Sequence, residues 1–300
     1  AQFITMMFLV GLITFELFTV TMDNRGTYDP RPYTEQLSMT PPPLVEAVLN
    51  DTSEQPFRVD GFRGLQDNFG SLYGVIDMRG ISPLFLEGPQ RIIYRNYVNN
   101  PLAWELFAVK YVYSESDTLS VPSNVIAEGN DRDGHVYLHQ LTDPRPYALL
   151  MYEAAVVDSD EFANALMDDP NFDERTSIIL HQAPQLVLPE NPVPGTAIIT
   201  RYAPEHITVD IDTPENAILS LSHVDYSGWE ALLNGQSVEF IRAYGGLTAV
   251  EIPAGQHNGT NFTLELKFVP LSYTIGGILS LMTWLGLAIV LVLSIFRGRR

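Results

Sequence analysis

The feature that most constrains this chain is an uncharged apolar stretch near its C-terminus. Residues 273–296 carry no charged side chain, and three arginines follow at Arg297, Arg299 and Arg300. A helix of this length rises about 36 Å, enough to cross a hydrocarbon core of about 30 Å. Basic residues beside a span mark its cytoplasmic end. The sequence therefore predicts a transmembrane helix over 272–296 and a cytoplasmic tail over 297–300.

A second apolar run occupies residues 1–20, and its one charged residue is Glu16. It has neither the basic start nor the small-residue cleavage site of a signal peptide, so we expect another transmembrane helix. Two spans of opposite direction place residues 21–270 outside the cytoplasm, with membrane lipid as a partner of both helices. The chain is then expected to be a fragment of a longer polytopic protein of a bacterial cytoplasmic membrane.

The segment between the two apolar runs is strongly acidic. The whole chain has a formal net charge of -19, and this segment holds 35 acidic and 14 basic residues. Such a surface repels the phosphate backbone, so nucleic acid is excluded as a partner. The chain has no cysteine, which excludes disulfides, thiolate metal sites and a cysteine nucleophile.

Composition and turn residues divide the outer segment into four parts. Strand-helix-strand patterning over 145–182 predicts an α/β unit. Four prolines between Pro184 and Pro194 predict a linker. Seven short strand-like runs follow, and Asn234-Gly235 between two of them predicts a hairpin within an antiparallel β-sandwich. The predicted fold class is therefore an α+β extracytoplasmic region flanked by two transmembrane helices, with these parts: exit arm 21–55, α/β domain 56–183, linker 184–195 and β-sandwich 196–270.

The C-terminal part of the chain resembles a known family of bacterial membrane proteins. The shared pattern is a Tyr-x-Gly-Trp strand, an Asn-Gly hairpin and a Pro-Ala-Gly-x-His turn before the last helix. It falls on Tyr226, Gly228, Trp229, Asn234, Gly235, Pro253, Ala254, Gly255 and His257. Together with weaker likeness upstream, this resembles the YfhO family over most of residues 57–296.

The resemblance implies a role in glycosyl transfer. The YfhO family belongs with polytopic glycosyltransferases of GT-C type, which take sugar from a polyprenyl-phosphate carrier and glycosylate an acceptor at the outer face. The partners implied are this donor and a cell-envelope glycan acceptor. The catalytic acid is expected on an early outer loop of the parent protein, so it would lie outside this chain. The resemblance implies no cofactor bound by this chain. It is compatible with a divalent cation bound elsewhere in the parent protein. The alternative is a membrane-tethered binding or structural module without enzymatic activity.

Two groups of residues are candidates for substrate binding. A glycine-rich loop carries Asn68, Asp77 and Arg79, and its arginine is suited to a carrier or acceptor phosphate. We expect this loop to be exposed. The alternative is an internal brace, either between Asp77 and Arg79 or between Arg79 and the backbone. Tyr226 and Trp229 have rings that can stack on a sugar, although a lone tryptophan in a sandwich more often lies in the core.

Other patterns point to surface positions rather than to chemistry. His135 and His139 are four apart on a predicted strand, about 13 Å, which is too far to share one metal ion. Asp131, Asp133 and Gly134 resemble a calcium loop but lack its acids at both ends. The Asp-x-Asp pairs at Asp158 and Asp210 are predicted to be surface acids, since a nucleotide-sugar donor is absent outside the cytoplasm.

Overall fold

The computed structural model describes residues 2–22, 40–65, 69–80, 84–96, 99–131, 133–255 and 262–297. The chain forms two units, residues 1–41 and residues 42–300. The first contains helix α1 (Gln2–Met22). Its described side chains form an apolar stretch, Met6–Glu16, that is shorter than a membrane span. The first transmembrane helix therefore stays a prediction, and most of the predicted exit arm lies outside the described residues.

The second unit contains short helices, many strands and one long helix. The helices are α2 (Pro43–Leu49), α3 (Phe69–Tyr73), α4 (Glu87–Ile93), α5 (Pro101–Leu106), α6 (Asp160–Met167) and α7 (Leu271–Arg297). The strands are β1 (Arg58–Asp60), β2 (Val109–Ser114), β3 (Ser123–Asp131), β4 (Gly134–Leu141), β5 (Ala148–Met151), β6 (Glu153–Val156), β7 (Ser177–Leu180), β8 (Thr196–Ala203), β9 (His206–Asp212), β10 (Ala217–Val224), β11 (Trp229–Leu233), β12 (Gln236–Val238), β13 (Ile241–Ala243), β14 (Leu247–Ile252) and β15 (Phe262–Phe268).

The described strands form three sheets. The first has the order β1-β2-β4-β3, the second β5-β10-β14-β13-β7-β6, and the third β12-β11-β15-β9-β8. Pairing is antiparallel except between β1 and β2 and between β6 and β7. The third sheet and the centre of the second form the predicted antiparallel sandwich. The fold is thus mixed α/β with a β-rich part, as the sequence indicates.

The second sheet separates two hydrophobic cores. On one face Leu219 and Val250 pack with Val209 and Leu264 of the third sheet. On the other face Ile218 and its neighbours pack beneath α4, α5 and α6, where Trp104 is the largest buried side chain. Successive residues of a strand point to opposite faces, and β10 is buried along nearly its whole length because both of its faces are covered. A third core lies between α2 and the first sheet.

The proline-rich segment does not separate two sheets. It was predicted to link an α/β domain to a sandwich, yet β5 pairs with β10, and Leu180 of β7 pairs with Ala243 of β13. Strands from before and after residues 184–195 therefore belong to one sheet. The α/β unit itself is present as β6, α6 and β7, with β6 and β7 parallel. The predicted boundary fails because strand pairing, which composition does not report, crosses the linker.

The last helix follows the sandwich without a linker. Strand β15 ends at Phe268, and α7 begins at Leu271. Within the described part of the chain, α7 is the one helix that is long and apolar enough to cross a membrane. None of its side chains is buried in the protein. This agrees with the predicted C-terminal span, whereas Arg299 and Arg300 lie beyond the described residues.

Candidate functional site

The glycine-rich loop that was predicted to bind substrate contains Arg79, which forms a buried ion pair with Asp60. Arg79 donates from Nε to Asp60 Oδ1 at 2.6 Å and from Nη2 to Asp60 Oδ2 at 2.9 Å. The side chains are 5% and 1% exposed. Trp104 Nε1 also donates to Asp60, at 2.7 Å, so the carboxylate joins β1 to the helical core. Such a bidentate pair is a strong internal contact, and it occupies both carboxylate oxygens.

Arg79 is therefore not the exposed residue that the sequence predicts. Its guanidinium carbon lies 5.2 Å from the ring centre of Phe62 and 5.5 Å from that of Tyr94, so aromatic rings cover the cation. The glycine-rich loop indicated exposure, but the guanidinium of Arg79 pairs with Asp60 on a strand, and it is the backbone N–H of Arg79 that bonds to Asp77. A role for Arg79 in phosphate binding stays a prediction, and Asn68 lies outside the described residues.

Asp77 braces the same loop through its backbone contacts. Its Oδ1 accepts from Gly61 N at 3.2 Å and from Arg79 N at 3.0 Å. Burial raises the pKa of Asp77 to about 6, although both backbone donors favour the charged form. A cavity of about 330 Å³ opens beside Asp77 and Gly70. This volume is at the lower end of the usual range of ligand pockets.

Tyr226 and Trp229 lie where the sandwich meets α7. Trp229 pairs with Phe268 across β11 and β15, with ring centres 5.4 Å apart. The other face of Trp229 meets His223 edge-on at 4.5 Å, so the indole is half-buried at the rim of the sandwich core. Tyr226 is exposed, and its ring lies 6.2 Å from Phe268. The described contacts join Tyr226 and Trp229 to each other through Phe268, and none joins them to Asp77 or Arg79.

The largest of the described cavities lies elsewhere, at the carboxyl ends of β6 and β7. Its volume is about 760 Å³, within the usual range of ligand pockets. Ser159 caps α6 by accepting from Phe162 N, and this cap sets the first turn of the helix over the cavity. Phe162, exposed on that turn, forms one wall with Leu166, and Val156 forms another. The cavity is thus mainly apolar, with one open aromatic ring.

Polar groups converge at one end of this cavity. His181 Nε2 is buried without a hydrogen-bond partner and lies 3.6 Å from Asp160 Oδ1. Burial lowers the pKa of His181, and Arg242 adds to the effect, while Asp160 opposes it. The net shift favours the neutral form of the imidazole. The carboxylates of Asp158 and Asp169 also line the cavity.

An ion network and a close backbone contact hold this end of the cavity rigid. Asp160 Oδ2 accepts from Arg242 Nη2 at 3.0 Å and from Arg91 Nη1 at 3.2 Å. A Cβ on Gly246 would lie 2.5 Å from the carbonyl carbon of Gly88, so the turn after β13 touches α4 with no room for a side chain. The network therefore fixes α4, α6 and β13 around His181.

This arrangement is suited to binding a neutral, hydroxyl-bearing ligand. Carboxylates accept from hydroxyl groups, and the Phe162 ring offers a face to a pyranose. Two rim carboxylates disfavour an anion. Among the described residues no cluster of three or more histidines, aspartates or glutamates is arranged to hold a metal ion.

Sequence analysis missed this cavity for a definable reason. Its walls come from β6, α6 and the segment after β7, and each piece alone looks like ordinary core or surface. The one available indication was the capped acidic helix start at 158–161 between two strands. Ligands of open α/β sheets bind at the carboxyl ends of parallel strands, which is where this cavity lies.

The comparisons with known proteins add no assignment. No family model, no curated protein and no solved structure matches this chain.

Proposed function

We propose that this chain is the C-terminal, membrane-anchoring and extracytoplasmic portion of a polytopic glycosyltransferase-like protein. In this proposal the parent uses a polyprenyl-phosphate-linked sugar to glycosylate a cell-envelope acceptor, and the catalytic acid lies outside this chain. The resemblance to the YfhO family at Tyr226, Trp229 and the Asn234-Gly235 hairpin suggested it. This chain contributes binding and positioning, and has no transfer activity by itself.

The observation that supports the proposal most is the cavity beside His181. It combines an exposed phenyl ring and rim carboxylates on a domain that runs directly into α7. A neutral glycan acceptor fits this chemistry better than the phosphate of the carrier, because the rim carries negative charge. The acceptor, rather than the donor, is therefore assigned to this chain.

The alternative is a membrane-tethered binding or structural module with no enzymatic parent. One observation favours it: Arg79, the residue predicted to bind a phosphate, is held in an internal ion pair with Asp60. Both proposals use α7 as an anchor and place residues 21–270 outside the cytoplasm. They differ in whether a change in the cavity alters glycosylation.

The test compares two phenylalanines of similar exposure in the full-length parent. Phe162→Ala removes the open ring from the cavity wall, whereas Phe85→Ala removes an exposed ring that does not line it. We expect glycosylation of the envelope in cells to fall several-fold for Phe162→Ala and to stay unchanged for Phe85→Ala. Equal glycosylation by both variants, at equal protein levels, would favour the structural module.

A further inference from the structure

The junction between the sandwich and α7 has the composition of a membrane-interface surface. We call this surface the neck and define it by Tyr226, Trp229, Phe268, Val269 and Tyr273. Tyr226 is 51% exposed, Val269 50% and Tyr273 83%. These residues lie at one end of the third sheet, where β15 leaves for the helix. An aromatic and apolar surface of this kind, left open beside a predicted span, needs an occupant.

The neck is rigid rather than a flexible tether. Val269 N donates to Gly228 O at 2.6 Å, and Phe268 N donates to Glu205 O at 3.0 Å. Gly228 has a φ of +100°, and a Cβ there would lie 3.0 Å from the Phe268 ring and 3.2 Å from Pro270. The loop before β11 is therefore closed against the residues that lead into α7. The distance between the aromatic rings and the first turn of α7 is fixed by these contacts.

We propose that the neck lies in the headgroup layer of the bilayer that α7 crosses, so that the domain rests on the membrane instead of standing away from it. Tyrosine and tryptophan are enriched at this depth because their rings are apolar and their N–H or O–H groups remain solvated. The proposal rests on α7 being a transmembrane helix. It also gives Tyr226 and Trp229 a role other than sugar stacking.

The charged residues around the neck indicate which headgroup charge the surrounding lipid has. Asp225, Glu205 and Glu230 are exposed beside it. They outnumber the neighbouring cations, which are Arg242, 3.9 Å from Asp225, and Lys267, opposite Glu230 on the next strand. Carboxylates near a bilayer are repelled by anionic headgroups. The occupant is therefore a zwitterionic or uncharged headgroup layer, held by ring insertion, and anionic lipid should not strengthen the contact.

Because the chain has no cysteine, single cysteines can report depth in the full chain reconstituted into phosphatidylcholine vesicles. Ser227→Cys places an environment-sensitive fluorophore in the neck while leaving Tyr226 intact. Ser237→Cys, exposed on the β11–β12 hairpin at the opposite end of β11, is the matched control. Leu279→Cys reports insertion of α7. Quenching is measured with lipids spin-labelled at the headgroup and deep in the acyl chain.

We expect headgroup spin labels to quench the Ser227 site several-fold more than the Ser237 site, and deep labels to quench the Leu279 site. Adding Tyr226→Ala should lower quenching at Ser227 and leave Leu279 unchanged. An unquenched Leu279 site would overturn the anchor, and with it the proposed function. If the Leu279 site is quenched and the Ser227 site is not, the neck proposal alone is overturned. The same conclusion holds if the neck is covered by another protein or a glycan instead of lipid.

Discussion

Replacing Arg79 by alanine tests whether the glycine-rich loop is structural. The change removes both hydrogen bonds to Asp60 and leaves that carboxylate 1% exposed, with Trp104 Nε1 and the more distant Phe62 N as its described donors. Breaking a buried pair by deleting one partner costs about 3–5 kcal/mol, because the remaining charge stays buried without compensation. We expect a loss of that size in the free energy of unfolding.

The assay is denaturant unfolding of the full chain in detergent micelles, with Arg91→Ala as the control. Arg91 also pairs with two carboxylates, but its side chain is 37% exposed. Exposed pairs contribute about 0–1 kcal/mol, so the control should lose little stability. Adding Asp60→Asn to an Arg79→Met background should restore part of the loss, since the neutral amide still accepts from Trp104. If Arg79→Ala lowers the free energy of unfolding no more than Arg91→Ala does, the structural role is refuted. Arg79 would then again be a candidate phosphate ligand.

Two further predictions concern Asp77 and the glycine contact. The pKa of Asp77 is about 6 in the folded protein, whereas its ordinary value is 3.8. Between these two pH values the folded protein holds a proton that the unfolded chain has released. The free energy of unfolding should therefore fall as the pH rises through this interval, by at most about 3 kcal/mol. Asp77→Asn should remove that fall and be the more stable protein above pH 6.5, and parallel pH profiles for the two proteins would contradict this. Gly246→Ala places a Cβ 2.5 Å from the Gly88 backbone and should cost more than about 2 kcal/mol. Gly235→Ala meets open space at φ +80° and should cost about 1 kcal/mol, and equal losses in thermal melts would refute the close contact.

Local features were predictable from the sequence because short-range chemistry determines them. Asn234 and Gly235 have φ of 51° and 80°, and Leu233 pairs with Gln236, so the predicted hairpin is confirmed. The strand-helix-strand unit at β6, α6 and β7 is confirmed for the same reason. Each depends on residues that are neighbours in the chain.

Non-local features could not be predicted in this way. The residue that pairs with Arg79 lies on another strand, and both Asp77 and Asp60 were available in the sequence as partners. The cavity beside His181 depends on three separate segments, and its histidine looks like any residue after a strand. Trp229 fits neither a fully buried core nor an open sugar platform, because its environment depends on Phe268 and His223 from two other strands.

The central position of β10 has a consequence for how the chain is made. Before β10 is synthesised, β5 has no strand to pair with. Strand β7 can pair with β6 but lacks its second neighbour until β13 is synthesised. Arg145, just before β5, makes its hydrogen bond to Ser220 of β10, 75 residues later. A chain that emerges from its N-terminus therefore keeps β5, β6 and β7 incomplete until the segment up to β14 has followed. The second sheet can therefore be completed only after β14, shortly before α7 itself is synthesised.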